Sequence, residues 1–200
     1  VSSSDAIVVV KLGGSLAEDD GQRLATALSA VTAAQRPCVV VPGGGTFADA
    51  VRAAYQRHGV SQATAHRMAL LAMQQTGLLL ADMAPRLQPA EDVAEIAQAF
   101  DADRVPVWMP YRLAADDPQI THDWRTTSDA LAARLAERLG NAEVVLVKSC
   151  AVDPDAGPQA LADAGIVDAA FPEIVARAGL KWRVLGAGDG DVLAKLLRDS

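Results

Sequence analysis

Twice within its first 45 residues the chain runs from a block of valines straight into glycines. Val8-Val9-Val10-Lys11-Leu12 meets Gly13-Gly14-Ser15, and Cys38-Val39-Val40-Val41-Pro42 meets Gly43-Gly44-Gly45. Apolar β-branched runs bounded by glycine read as buried strands. A strand that is apolar on both faces must be covered on both, and a parallel sheet between two helical layers does this. Half of the 200 residues are hydrophobic but only 4% are aromatic. The core must therefore be built from Ala, Val and Leu, which suits helices laid on such a sheet.

The rest of the chain continues the alternation. Strands are expected over residues 7–12, 38–41, 105–109, 143–147 and 182–185. Helices are expected from a cap at Asp19 or Asp20 to Ala34, and over 46–58, 62–83, 159–164, 172–178 and 192–197. Another runs from a Thr127 or Ser128 cap to Leu139, ending at Gly140 or Asn141. Residues 91–103 read as a short helix or an irregular segment, and 111–124 as a polar loop. In the helix over 62–83, Met68, Leu71, Leu78 and Leu79 are among the apolar positions and Met73 belongs to the core. His66 reads as a surface residue. The expected architecture is one domain over residues 1–200, a three-layer α/β/α sandwich with a mainly parallel sheet.

Ligands bind to such sheets at the carboxyl ends of the strands. There the first strand brings Lys11, Gly13, Gly14 and Ser15, the second Gly43, Gly44 and Gly45, and the strand over 143–147 brings Lys148 and Ser149. Glycine turns that open helices expose backbone N–H groups, and the helix dipole adds positive potential. Two such turns and a lysine point to a polyphosphate. Asp129, at a helix start, reads either as a cap or as a carboxylate that orients Lys11 and Lys148. His122 and Trp124, beside Thr127 and Ser128, are candidate substrate contacts.

Other chemistries fit less well. No GxxxxGK[ST] occurs, and Gly186-Ala187-Gly188-Asp189-Gly190 has the wrong spacing for a dinucleotide fingerprint. His58, His66 and His122 lack metal-ligand spacing, so no protein-held metal is expected. The net charge of −7 argues against nucleic acid as a partner. No apolar run is long enough to span a membrane. Cys38 and Cys150 read as reduced core thiols, and with the polar, non-basic first residues they lead us to expect a cytoplasmic protein.

Four motifs in order resemble the amino acid kinase superfamily over about residues 6–153: Lys11-Leu12-Gly13-Gly14-Ser15, Pro42-Gly43-Gly44-Gly45, Ser128-Asp129 opening a helix, and Val145-Leu146-Val147-Lys148-Ser149. The resemblance implies a kinase using ATP and Mg²⁺. Lys11 would contact the moving phosphoryl group, the two glycine loops would hold phosphates, Asp129 would organise the lysines, and Lys148 would lie by the nucleotide phosphates. Nucleotide contacts would extend to Ser149, Asp153, Gly186 and Gly188. The acceptor would lie between Gly44, Arg67 and the 122–128 loop.

Trp124-Arg125-Thr126-Thr127-Ser128-Asp129 is similar to a W-x-x-T-S-D branch whose best-known member phosphorylates an aminomethylfuran methyl phosphate in methanofuran biosynthesis. The resemblance thus implies a small phosphorylated acceptor and a homo-oligomer with the long helix from Gln62 at its interface. A uridylate kinase-like enzyme, or a non-catalytic nucleotide-binding or storage subunit of the same fold, is the alternative. The sequence departs from the family in Val152-Asp153-Pro154, where VDG is usual. No second nucleotide-side lysine is evident, so Lys148 or Lys181 would have to serve. Residues 155–170 match no motif of the family.

Overall fold

The computed structural model describes residues 7–17, 21–140 and 142–199. The expected cap at Asp19 or Asp20, the terminator Asn141 and the opening residues 1–5 lie outside them. Six parallel strands form one sheet: β1 (Val8–Leu12), β2 (Cys38–Pro42), β3 (Leu87–Ala90), β4 (Val105–Trp108), β5 (Glu143–Val147) and β6 (Trp182–Leu185), in the order β3-β4-β2-β1-β5-β6. The helices are α1 (Gln22–Thr32), α2 (Gly45–His58), α3 (Gln62–Met83), α4 (Val93–Asp101), α5 (Tyr111–Ala114), α6 (Ser128–Arg138), α7 (Pro158–Asp163), α8 (Phe171–Ala178) and α9 (Gly190–Arg198). The α/β architecture with a parallel sheet is the one expected.

The central strand decides where the site lies. β1 is paired on one side with β2 and on the other with β5, Lys11 standing opposite Val41 and Leu146. Side chains alternate between the two faces of a strand. Val8, Val10 and Leu12 face one core with Leu24, Leu28, Val31 and Leu193 from α1 and α9. Val9 faces the other, with Val144, Leu146, Leu131 and Leu135. Lys11 shares the parity of Val9, and Lys148 that of Val144 and Leu146. Both lysines are therefore delivered to the α6 side of the sheet, where its apolar rows end.

Local chemistry sets the element ends. Ser61 caps α3 by accepting the Thr64 N–H at 3.2 Å, and Asp92 caps α4 by accepting the Glu95 N–H at 2.9 Å. Gly59 and Gly179 close α2 and α8 in the left-handed region, at φ 61° and 59°, where a Cβ is penalised.

The structure revises five expectations. First, β3 lies within a stretch where no strand was expected. It is four residues long and includes Pro89, which an edge strand tolerates because one of its sides has no ladder to feed. Second, α5 interrupts the expected loop after Pro110, while α4 is the short helix that was one of the two readings of residues 91–103. Third, α3 is turned so that Leu71, Leu78 and Leu79 are exposed while Ala65, His66, Leu70, Ala72, Met73, Gly77 and Leu80 are buried. Close packing explains the choice: a Cβ on Gly77 would come within 2.9 Å of Met109 Sδ. Fourth, His66 is accordingly a core residue. Fifth, only one of the two thiols is in the core. Cys38 is buried, and burial pushes its pKa up to about 12, whereas Cys150 is exposed. Among the described residues no helix is long and apolar enough to cross a membrane.

Candidate active site

At the carboxyl edge of β1 and β5 two ammonium groups meet one carboxylate. Lys11 Nζ is 2.9 Å from Asp129 Oδ1, and Lys148 Nζ is 2.6 Å from Oδ2. Asp129 is the second residue of α6 and is 3% exposed; Lys11 is 5% exposed. Burial by itself raises the Asp129 pKa. The charges of Lys11 and Lys148 outweigh it and hold the carboxyl below its ordinary value. Lys148 is pushed down by burial and by Lys11, and Asp129 restores part of the difference. The cluster sets two lysines against one carboxylate at the sheet edge. Lys148 makes a full hydrogen bond to Asp129, but no hydrogen bond satisfies Oδ1. Lys11 lies at ion-pair distance from Oδ1 and also lines the cavity above it, where its ammonium can face a ligand.

The two glycine loops flank this cluster and touch each other. A Cβ on Gly14 would lie 2.3 Å from Gly45 Cα and 2.4 Å from Gly45 N; one on Gly43 would lie 2.6 Å from Gly14 N. Gly45 has φ 52°. α2 begins here without a side-chain cap, so its first N–H groups remain available to an anion. Gly14→Ala should therefore force the loops apart against backbone atoms that cannot yield. We expect overpacking of about 1–3 kcal/mol in thermal unfolding and a rise of at least tenfold in the KM for the substrate that occupies the cavity these loops line. An unchanged KM in steady-state kinetics would show that the contact is not needed.

A cavity of about 510 Å³ opens above the cluster. Lys11, Gly14, Ser15 and Gly43 to Gly45 line its phosphate end; Ala69, Leu70, Met73, Leu131, Ile166 and Val167 form an apolar wall. Trp124, Thr127 and Ser128 also line it. Trp124 meets Tyr55 edge-on at 5.7 Å between ring centroids, with the Arg52 guanidinium 5.7 Å from its centroid. A second cavity of about 340 Å³, lined by Arg23, Thr26, Gly186, Gly188 and Asp191, lies on the other side of Lys148, which borders both.

Not every expected residue reaches these cavities. Arg67 points to solvent and pairs with Asp116 at 2.6 Å, because it sits on the outer face of α3; Arg52 of α2 lines the mouth instead. His122 stacks on His66 at 5.2 Å and acts as backing, with Nε2 3.2 Å from the Asp117 carbonyl oxygen. Ser149 hydrogen-bonds Ser15 through the two hydroxyls at 2.8 Å, tying the β1 and β5 loops together. Asp153 is exposed and accepts the Asp155 N–H at 3.0 Å, which makes it a turn former. Gly13 does not line the large cavity. A Cβ there would approach Val147 O to 3.2 Å and Lys11 Nζ to 3.6 Å, so its bareness leaves room for the lysine.

Sequence reasoning missed Asp168. Thr127 occupies the N-cap position of α6 as expected, but its side chain accepts no capping hydrogen bond. Asp168 Oδ2 accepts the N–H groups of Thr127, Asp129 and Ala130, each at 2.9 Å, and Oδ1 accepts the Thr127 hydroxyl at 2.5 Å. No signal in the sequence marks it, since it caps a helix 39 residues upstream. His66 was also missed as a cavity residue. Burial and the neighbouring His122 push its pKa down, and its Nε2 has no hydrogen-bond partner.

A parallel sheet with two glycine loops and a lysine–aspartate–lysine cluster at its carboxyl edge defines a phosphate-handling α/β protein. The chain belongs to the amino acid kinase family, whose pattern it matches over residues 6–153. It is 24% identical over 138 residues to the [5-(aminomethyl)furan-3-yl]methyl phosphate kinase of Methanocaldococcus jannaschii, covering 69% of this chain and 63% of that protein. It thus spans less than two thirds of the length of that curated relative. Its fold is that of the uridylate kinase of Archaeoglobus fulgidus, with a TM-score of 0.66 at 21% identity over 95% of this chain and 94% of the other. A carbamate kinase from Giardia lamblia bound to AMP-PNP is similar at a TM-score of 0.52 and 15% identity, over 98% and 100% of the two chains.

Proposed function

We propose that this protein transfers the γ-phosphoryl group of ATP to a small phosphorylated acceptor, an aminomethylfuran methyl phosphate, in the cytoplasmic synthesis of a methanofuran-type one-carbon cofactor. The observation that carries the reading is the Lys11–Asp129–Lys148 cluster between two touching glycine loops, with Lys148 bordering both cavities. ATP takes the smaller cavity and the acceptor the larger. An oxygen of the acceptor phosphate attacks Pγ, and the bond from Pγ to the ADP oxygen breaks. The attacking oxygen is already anionic, so no side chain need remove a proton. Catalysis is positioning and charge stabilisation. Lys11 meets the moving phosphoryl group, the glycine N–H groups hold the phosphates on either side, and Asp129 holds both ammonium groups in place.

Magnesium arrives on the nucleotide, as MgATP. Among the described residues no group of three or more His, Cys, Asp or Glu side chains could hold a metal ion. Asp129 is committed to two lysines and Asp168 to four donors, so no step is assigned to a metal held by these carboxylates.

The cavity supports a ring-bearing acceptor. Six apolar side chains wall it, and Trp124 offers a flat face beside the charged pair Asp49–Arg52. A uridine nucleotide would have to turn the polar groups of its ribose and base away from that wall, toward Asp49, Arg52, His66 and Thr127. The name of the Methanocaldococcus relative points to the same acceptor. The deciding measurement is ADP release from ATP with the aminomethylfuran phosphate, with UMP and with no acceptor. We expect turnover with the first only. Turnover with UMP alone would make the chain a nucleoside monophosphate kinase, and ATP binding without acceptor-dependent ADP release would make it a nucleotide-binding subunit.

We also propose that two copies associate through the outward face of α3, where Leu71, Leu78, Leu79 and Met83 are 46–59% exposed beside Phe47. Leu78→Glu should give a monomer by light scattering, with its melting temperature little changed. A mass identical to wild type would remove the idea.

A further inference from the structure

Residues 155–170 carry no motif, yet the segment is built into the site. Gly165, Ile166, Val167 and Asp168 line the acceptor cavity, and the Ala170 N–H donates to the Arg125 carbonyl at 3.0 Å, pinning the segment beside the α6 start. The first N–H groups of a helix have no partner within it and attract anions. In α6 three donors at this end, the N–H groups of Thr127, Asp129 and Ala130, converge on one oxygen of the half-buried Asp168. They are thereby closed to a substrate phosphate, which is left to the N–H groups of the glycine loops. They also tie Asp129 through its own backbone, one bond from the side chain that grips both lysines.

We propose that Asp168 is a positioning residue: by holding the N-terminus of α6 it sets where Asp129 places the ammonium groups of Lys11 and Lys148. The proposal rests on the phosphoryl-transfer reading of the site. The charged groups facing Asp168 are Asp129 on α6, Lys148 after β5 and Lys11 on β1. Its charge contributes to holding the proton on Lys148. Burial and the like charge of Asp129 raise its own pKa, against the hydrogen bonds from Ala130 N–H and the Thr127 hydroxyl.

Two variants separate charge from position. Asp168→Asn removes the charge and keeps the shape. Asp168→Glu keeps the charge and displaces it by one methylene. The first measurement is the NMR titration of the Lys148 ammonium in the substrate-free protein, which needs no acceptor and no turnover. Lys148 should lose its proton at lower pH in the Asn variant and near the wild-type pH in the Glu variant. The second is steady-state kinetics. Both variants should lose at least tenfold in kcat with the KM for ATP within twofold, and the alkaline limb of the kcat profile should move to lower pH in the Asn variant alone. A Lys148 titration unchanged by Asp168→Asn overturns the proposal, whatever the activity. So does a Glu variant with wild-type kcat, and the Glu variant carries the test if the Asn variant does not fold. Absence of transfer to any acceptor would overturn the phosphoryl-transfer reading, and the titration would still decide the role of Asp168.

Discussion

Lys11→Met should abolish nearly all phosphoryl transfer while leaving a folded protein. We expect kcat to fall about a thousandfold, the scale seen when a preorganised donor to developing charge is removed. The reasoning begins with strand parity. Lys11 is the fourth residue of a strand whose other four positions are buried and apolar, and it is delivered to the α6 face with its ammonium against Asp129. Nothing in the packing of β1 needs a cation there. Removing one partner of a buried ion pair costs about 3–5 kcal/mol when the other is stranded. Asp129 keeps Lys148 at 2.6 Å, and the Met side chain fills the same channel, so the loss should be at the low end or below it. Thermal melting measured alongside single-turnover transfer separates the two effects. A variant that melts near wild type and retains a tenth of its rate would remove Lys11 from the reacting centre.

Asp129→Asn comes second in expected size and has a different signature. It leaves two buried ammonium groups facing each other with only the charge of Asp168 to oppose them. Lys148, already pushed down by burial and by Lys11, loses the attraction that partly restored it. The variant should lose about 10²–10³ in kcat at neutral pH, recover part of it at lower pH as Lys148 regains its proton, and so show an alkaline limb displaced toward acid. Stability has its own sign. The Asp129 pKa is depressed in the folded state, so its contribution is present above the ordinary carboxylate pKa and is lost as the pH falls through the depressed value. The melting temperatures of wild type and variant should accordingly converge in acid. A variant with the wild-type pH profile would mean that Asp129 is only a helix residue.

Much of this was legible in the sequence because it is local. A valine run into a double glycine specifies a strand, a bare turn and the edge on which they lie, and β5 and β6 fall where the apolar runs place them. What was not legible is relational. Leu71, Leu78 and Leu79 satisfy a helical period, but so do Ala65, Ala72 and Gly77 on the opposite side. Only the tight approach of α3 to Met109 and the sheet decides that the small residues go inside. The same rotation buries His66, carries Arg67 away from the cavity and leaves Arg52, one helix earlier, at its mouth. β3 is too short and too near Pro89 to show a period at all. Asp168 is the extreme case. Helix caps are sought within a residue of the helix, and this one arrives from another part of the chain.

Because all six strands are parallel, every crossover starts at the edge that carries the site and ends at the opposite one. The chain thus has a working end and a blank end, separated by the length of a strand. The turns on the blank end, at residues 33–37, 102–104 and 179–181, touch no group of the lysine–aspartate cluster. A fluorophore or a surface tether attached to the exposed side chain of Lys181 would sit on the far side of the sheet, with the cavities left facing the solution.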